Sequence, residues 1–176
     1  MSEAANTNKK PFHIPRWDEL PNFEIYMEQL VSSVNATLEF YQTDFNSSIL
    51  TSAMVNNYVK MGIIPKPTNK RYDRDHLAML TIITLFKNVI QINDIKDAIE
   101  VLTAKYDVET CYNTFADEIE YIFTRVKNLI DDPEERLVFE FRINPALDLI
   151  RATSITVAGQ LYSKYLLNEM KNSPDK

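Results

Sequence analysis

Residues 54–77 read MVNNYVKMGIIPKPTNKRYDRDHL. The stretch opens on a helical pattern and stops at Gly62, one of two glycines in the chain. It then turns through Pro65 and Pro67 and passes Lys66, Lys70, Arg71, Arg74 and His76 before an apolar pattern resumes at Leu77. Glycine just past the last helical residue is the favoured stop, because it alone enters the left-handed region without steric cost. Thr51 stands where an N-cap belongs. The spacing therefore predicts a short helix over 51–61, a proline-stiffened basic turn over 65–74, and a further helix started by Asp73 or Asp75.

Upstream, Ile25, Leu30 (or Met27), Val31, Val34, Leu38 and Tyr41 recur at helical spacing and predict a first helix over about 22–42. Trp17, in a proline-bounded extended segment, is expected to pack on the body of the domain. Downstream, Leu77, Leu80 and Ile83 continue one helix. Asn93 is expected to cap the next, with Ile95, Ile99 and Leu102 as its stripe. A long amphipathic helix over about 109–130 follows, carrying Cys111, Phe115, Ile119, Ile122, Val126 and Leu129 on one side. Pro133 fits an N1 position, and residues 137–144 (LVFEFRIN) suit helix or strand equally. Pro145 opens a last helix to about residue 171. Gly159 inside it costs about 1 kcal/mol relative to alanine, which points to close helix approach at Ala158 and Gly159.

The fold class is thus mostly α. Two glycines in 176 residues argue against a glycine-rich phosphate-binding loop. One cysteine, Cys111, excludes an intramolecular disulfide and a cysteine zinc site, and it is expected in the core. His13 and His76 lie apart, so no metal ligation is expected; His76 reads as an exposed first-turn residue. The acidic groups Asp117–Glu118–Glu120 and Asp131–Asp132–Glu134–Glu135 read as solvated surface. No base accompanies any serine or threonine in a catalytic motif, so an enzyme is not expected, and no cofactor is implied. No apolar run approaches the ~20 residues of a membrane span, and the polar N-terminus lacks a secretory signal pattern. A cytoplasmic protein is expected.

Net charge is −6 but unevenly spread: −4 over residues 1–47, +3 over 48–105 and −5 over 106–176. A positive middle between acidic flanks suits a nucleic-acid-binding module. On the helix over 51–61, Val55, Tyr58 and Met54 can face the core, which turns Ser52, Asn56, Asn57 and Lys60 outward. Asparagine can bond adenine bidentately, and lysine reaches guanine or phosphate. Lys66, Lys70, Arg71 and Arg74 are placed to meet flanking phosphates.

The same segment resembles the winged helix-turn-helix of the mercury-resistance-regulator (MerR) superfamily. Val55, Tyr58, Gly62, Ile63, Ile64 and Pro65 fall on that family's recognition-helix pattern. Lys70 and Tyr72 fall on its basic wing, and Ile92, Asp94 and Ile95 on its fourth helix. Asn56, Asn57 and Val59 stand where the family has arginine, tyrosine and glutamate. The chain as a whole also resembles an uncharacterised bacterial domain-of-unknown-function family described as regulators. The resemblance implies a MerR-like winged helix-turn-helix module over 12–106, with a disordered tail at 1–11 and a helical dimerisation or regulatory region at 107–176. It adds Tyr72 to the wing surface. It implies a DNA-binding transcriptional regulator acting on double-stranded DNA as a homodimer, through an effector the sequence does not name. The competing expectation is a non-enzymatic protein–protein adaptor that keeps the winged fold.

Overall fold

The computed structural model describes residues 13–41, 49–132, 134, 136, 138 and 144–172. The expected tail at 1–11, Pro133, Glu135, and Leu137 and residues 139–143 of the ambiguous stretch lie outside them. Six helices carry the described part: α1 (Met27–Thr37), α2 (Ser52–Lys60), α3 (Arg74–Phe86), α4 (Ile92–Thr103), α5 (Val108–Asp131) and α6 (Pro145–Asn172). Two short strands, β1 (Ile25–Tyr26) and β2 (Arg71–Tyr72), pair antiparallel with Ile25 opposite Tyr72 and Tyr26 opposite Arg71.

The first helix is shorter than its periodicity suggests. Ile25 and Tyr26 fit the apolar spacing of a helix, yet they are β-prone residues with a strand to pair with, and the ladder takes them. At the other end, Glu39–Tyr41 tightens into a 3-10 turn. The fourth helix starts before Asn93, at Ile92, with Gln91 as the extended N-cap residue. Asp107 caps α5, accepting from the Thr110 N–H at 2.7 Å.

Helix α3 is buried nearly all round: Leu77, Ala78, Leu80, Ile83, Leu85 and Phe86 are all in the core. It packs on α1, α5 and α6. A helix apolar on every side can be stable only in such a central position. Burying a side chain like Leu80 contributes about 1.5–3 kcal/mol. One hydrophobic core joins Ile14 to Val157, and Tyr112 and Phe115 of α5 are fully buried in it. The division at residue 106 therefore does not coincide with a break in the core. Helices α5 and α6 lie side by side and run in the same direction. Tyr106, just before α5, bonds Asn144, just before α6, and further along Glu118 pairs with Arg151. A second small cluster holds Ile122, Val126 and Ala158. Ala158 is buried, but Gly159 is exposed and a Cβ there would meet nothing within 4 Å. Within the chain, then, Gly159 marks no close helix approach.

The acidic group on α5 is not simply solvated. Glu120 receives both guanidinium nitrogens of Arg16, at 2.8 and 2.6 Å, and the backbone N–H of Ile14 at 2.6 Å. Asp117 lies 3.0 Å from the same guanidinium. Burial pushes the Glu120 carboxyl up, but the Arg16 and Ile14 donors outweigh it and hold it below the ordinary carboxylate value. Glu118 pairs with Arg151 of α6. Next to the clasp, Trp17 meets Tyr112 edge to face, centroids 6.5 Å apart, as the expected aromatic anchor.

Candidate nucleic-acid interface

Helix α2 is held at both ends. The Thr51 hydroxyl accepts from the Met54 N–H at 3.3 Å, satisfying one of the first-turn donors. Ahead of it, the Asn35 side chain bonds both the N–H and the C=O of Leu50, each at 2.9 Å, as a backbone strand would. Lys87, the residue that caps the end of α3, donates to the Ile49 carbonyl at 2.7 Å. Burial lowers the Lys87 pKa. At the far end, Gly62 has φ +68°. Its N–H bonds Val59 C=O at 3.1 Å and the Ile63 N–H bonds Tyr58 C=O at 2.9 Å, the two bonds of a Schellman motif.

Val55 and Tyr58 are buried, and Ser52, Asn56, Asn57 and Lys60 are exposed. Met54 is 37% exposed and does not enter the core. Its sulfur lies 3.3 Å from the Lys87 ammonium, because the position beside Val55 faces the end of α3 and not its apolar flank.

The basic turn contains a tight hairpin. The Arg71 N–H bonds Thr68 C=O at 2.8 Å, and the two residues between, Asn69 and Lys70, have φ of 50° and 61°. Positive φ at both central residues is the twist that two-residue hairpins favour. Asparagine tolerates it well. Lysine does not, and its Cβ is crowded there.

The cations of this segment divide into two sets. Lys60, Lys66 and Lys70 are exposed, and none takes part in an ion pair among the described residues. Arg71 and Arg74 are half-buried and engaged. The Arg71 guanidinium lies 4.5 Å from the Tyr26 ring centre and donates to its hydroxyl at 2.7 Å. Arg74 sits 5.4 Å from the Trp17 ring centre and donates to Pro21 C=O at 3.3 Å. Both tie the turn and α3 to the N-terminal segment. Tyr72 is 3% exposed, so its side chain belongs to the core and not to a wing surface. β2 has only two residues, and one of them must face inward.

His76 is also inside, at 4% exposure. Its Nδ1 lies 2.6 Å from the Asp73 carboxylate, its Nε2 lies 3.2 Å from Pro65 C=O, and its ring meets Tyr72 edge to face. Asp73 also caps α3 by accepting from the His76 N–H at 3.1 Å. Burial acts to raise the Asp73 pKa, but these bonds prevail and lower it. Asp75 is raised, by burial and by the neighbouring Asp73 charge.

Residues 15–115 match the family model described as a domain of unknown function, DUF1836. The chain belongs to the DUF1836 family. No curated protein and no solved structure matches it. The DUF1836 match takes in β1, α1, α2, the hairpin, α3 and α4, and the first turns of α5 with Tyr112 and Phe115. It thus includes all nine residues expected at a nucleic-acid surface; α6 lies beyond it. Among the described residues of this DUF1836 chain, no three His, Cys, Asp or Glu side chains gather closely enough to hold a metal ion. Among the described residues, no helix is long and apolar enough to cross a membrane.

Proposed function

We propose that this protein is a DNA-binding transcriptional regulator of the winged helix-turn-helix kind, similar to the MerR superfamily. In this reading α2 enters the major groove and the hairpin over 65–74 rests on the phosphate backbone. Asn56 and Asn57 read base edges, Ser52 and Lys60 flank them, and Lys66 and Lys70 supply the phosphate charge. Arg71, Tyr72 and Arg74 support the wing from behind. The observation that carries the reading is Lys70. It is an exposed cation with no ion pair among the described residues, kept at φ 61°, where glycine or asparagine would sit with less strain. Strain retained at a surface position points to a use for that side chain.

A single module of this kind contacts one short half-site, so the active form is a homodimer. Tyr165, Leu166, Leu167 and Met170, on the exposed end of α6, are the proposed self-association surface.

One observation favours a protein–protein adaptor instead. Residues 38–51 separate α1 from α2, where a helix-turn-helix ordinarily has a turn of about 3–4 residues. Selection of bound fragments from random double-stranded DNA decides between them. The regulator reading expects an enriched sequence whose binding weakens with salt. A chain that enriches no sequence and is not retained on heparin at low salt overturns it.

A further inference from the structure

A groove of about 530 Å³ opens where α2, the basic turn, α3, α4 and the start of α5 converge. Its apolar wall takes one side chain from each helix: Val59 of α2, Met79 of α3, Ile99 of α4 and Val108 of α5. All four are half-buried, so the helices meet without covering them. The Thr103 hydroxyl on the same wall is spent on Ile99 C=O at 2.7 Å. The polar chemistry of the groove is therefore left to two side chains of opposite charge, Lys66 of the basic turn and Asp75 in the first turn of α3. Both are exposed, and neither forms an ion pair, with the other or with any other described residue. Burial and the Asp73 charge hold the Asp75 carboxyl above its ordinary value, a cost that a cation brought to it would relieve. Small-molecule sites between helices have this make-up, a mainly apolar wall with a few placed polar groups in roughly 300–1,000 Å³.

We infer that this groove binds a small zwitterion with an apolar body, the chemistry of a free amino acid with a large apolar side chain. The ammonium group meets Asp75, the carboxylate meets Lys66, and the side chain covers Val59, Met79, Ile99 and Val108. Charge complementarity selects this occupant. An apolar amine would answer Asp75 but be repelled by Lys66, and an apolar carboxylate would answer Lys66 but be repelled by Asp75. A zwitterion without an apolar body would leave the wall in water. The inference does not rest on the DNA-binding reading, because occupancy is measured on the chain alone.

The test uses the full chain at neutral pH and low salt, with labelled isoleucine δ1 and methionine ε methyl groups. It is titrated with L-phenylalanine and, separately, with phenethylamine, 3-phenylpropanoate and glycine. Saturable shifts with L-phenylalanine are expected at Ile99 and Met79, with Ile14 and Ile122 unmoved. Phenethylamine and 3-phenylpropanoate, each lacking one charge, should bind about three- to fivefold more weakly, the range of an exposed ion pair. Glycine should produce no saturable shift. Lys66→Ala should bind L-phenylalanine no better than phenethylamine, and Asp75→Asn should bind it no better than 3-phenylpropanoate. The comparison of ligands on the parent chain stands even if a variant does not fold. The inference is overturned if Ile99 and Met79 do not move up to the solubility of L-phenylalanine, or if Ile14 and Ile122 move with them. It is also overturned if the parent binds either singly charged compound or glycine as tightly as L-phenylalanine, or if folded variants keep the parent's preference.

Discussion

The carbonyl oxygen of Pro65 accepts a hydrogen bond from Nε2 of His76 across 3.2 Å. A carbonyl can only accept, and so can the Asp73 carboxylate that faces Nδ1 across 2.6 Å, so the ring is held between two acceptors. One buried imidazole thereby joins the start of the basic turn to the cap of α3. His76→Leu should cost about 1–3 kcal/mol, because it strands the Pro65 carbonyl and loosens the Asp73 cap. His76→Gln, which can still donate, should recover part of it. Urea unfolding midpoints of the three proteins check this.

Lys70 allows strain and charge to be separated. Lys70→Gly removes both, whereas Lys70→Ala removes the charge and keeps the crowded backbone. Lys70→Gly is expected to be as stable as the parent or up to about 1 kcal/mol more stable, and Lys70→Ala no more stable than the parent. If the wing touches phosphate, the two variants lose DNA affinity equally. Unequal losses would mean that hairpin shape, not charge, governs contact.

The pair that would report the proposed phosphate surface is Lys66 and Lys70. Arg71 is a poor member of it, since removing Arg71 also removes its contacts with Tyr26. Lys66→Ala with Lys70→Ala should lower the slope of log K against log salt by about 1.8 while leaving thermal unfolding near the parent's. An unchanged slope would take the turn out of the interface.

Acid should weaken the fold through Asp73 and Glu120. Both carboxyls titrate lower in the folded chain than in the unfolded one. Their stabilisation is therefore present above the ordinary carboxylate pKa of about 4 and is lost as pH falls through the folded values. Asp75, raised in the folded chain, acts in the opposite sense: its contribution is present at low pH and is lost as pH rises through its folded value. Glu120→Gln should flatten the fall in urea midpoint between about pH 5 and pH 2. An equally steep fall would leave the Arg16 clasp with no part in acid unfolding.

Self-association should depend on the exposed end of α6. Leu166→Glu with Met170→Glu is expected to convert a sedimenting dimer to a monomer without loss of helix content. A parent that sediments as a monomer at tens of micromolar would remove the dimer. Truncation after Tyr106 is unsuitable as a test, because it takes Tyr112 and Phe115 out of the core.

Elements governed by neighbours in sequence were readable from the sequence. Thr51, Gly62 and Asp73 act where their local chemistry places them, and the α5 stripe from Cys111 to Val126 is buried as its period demands. What escaped is non-local. Ile25–Tyr26 is a strand because Arg71–Tyr72 lies beside it, 47 residues away in the Ile25–Tyr72 register. A histidine one turn into a helix looks exposed until Pro65 and Tyr72 close over it. Asn35 gave no signal in a helical stripe, and its use becomes visible only when Leu50 arrives beside it. Glu118 and Glu120 read as surface because their arginines, Arg151 and Arg16, come from distant parts of the chain.

The Arg16–Glu120 clasp sets an order of events during synthesis. The two partners are 104 residues apart, and at about 5–20 residues per second a ribosome needs roughly 5 to 20 s to produce the second after the first. For that interval Arg16 has no Glu120 to meet, and Trp17 lacks Tyr112. The segment that lies against Arg74 is thus among the last to settle. A nascent chain stalled within α5 would carry its basic turn before the N-terminal segment behind that turn was fastened down.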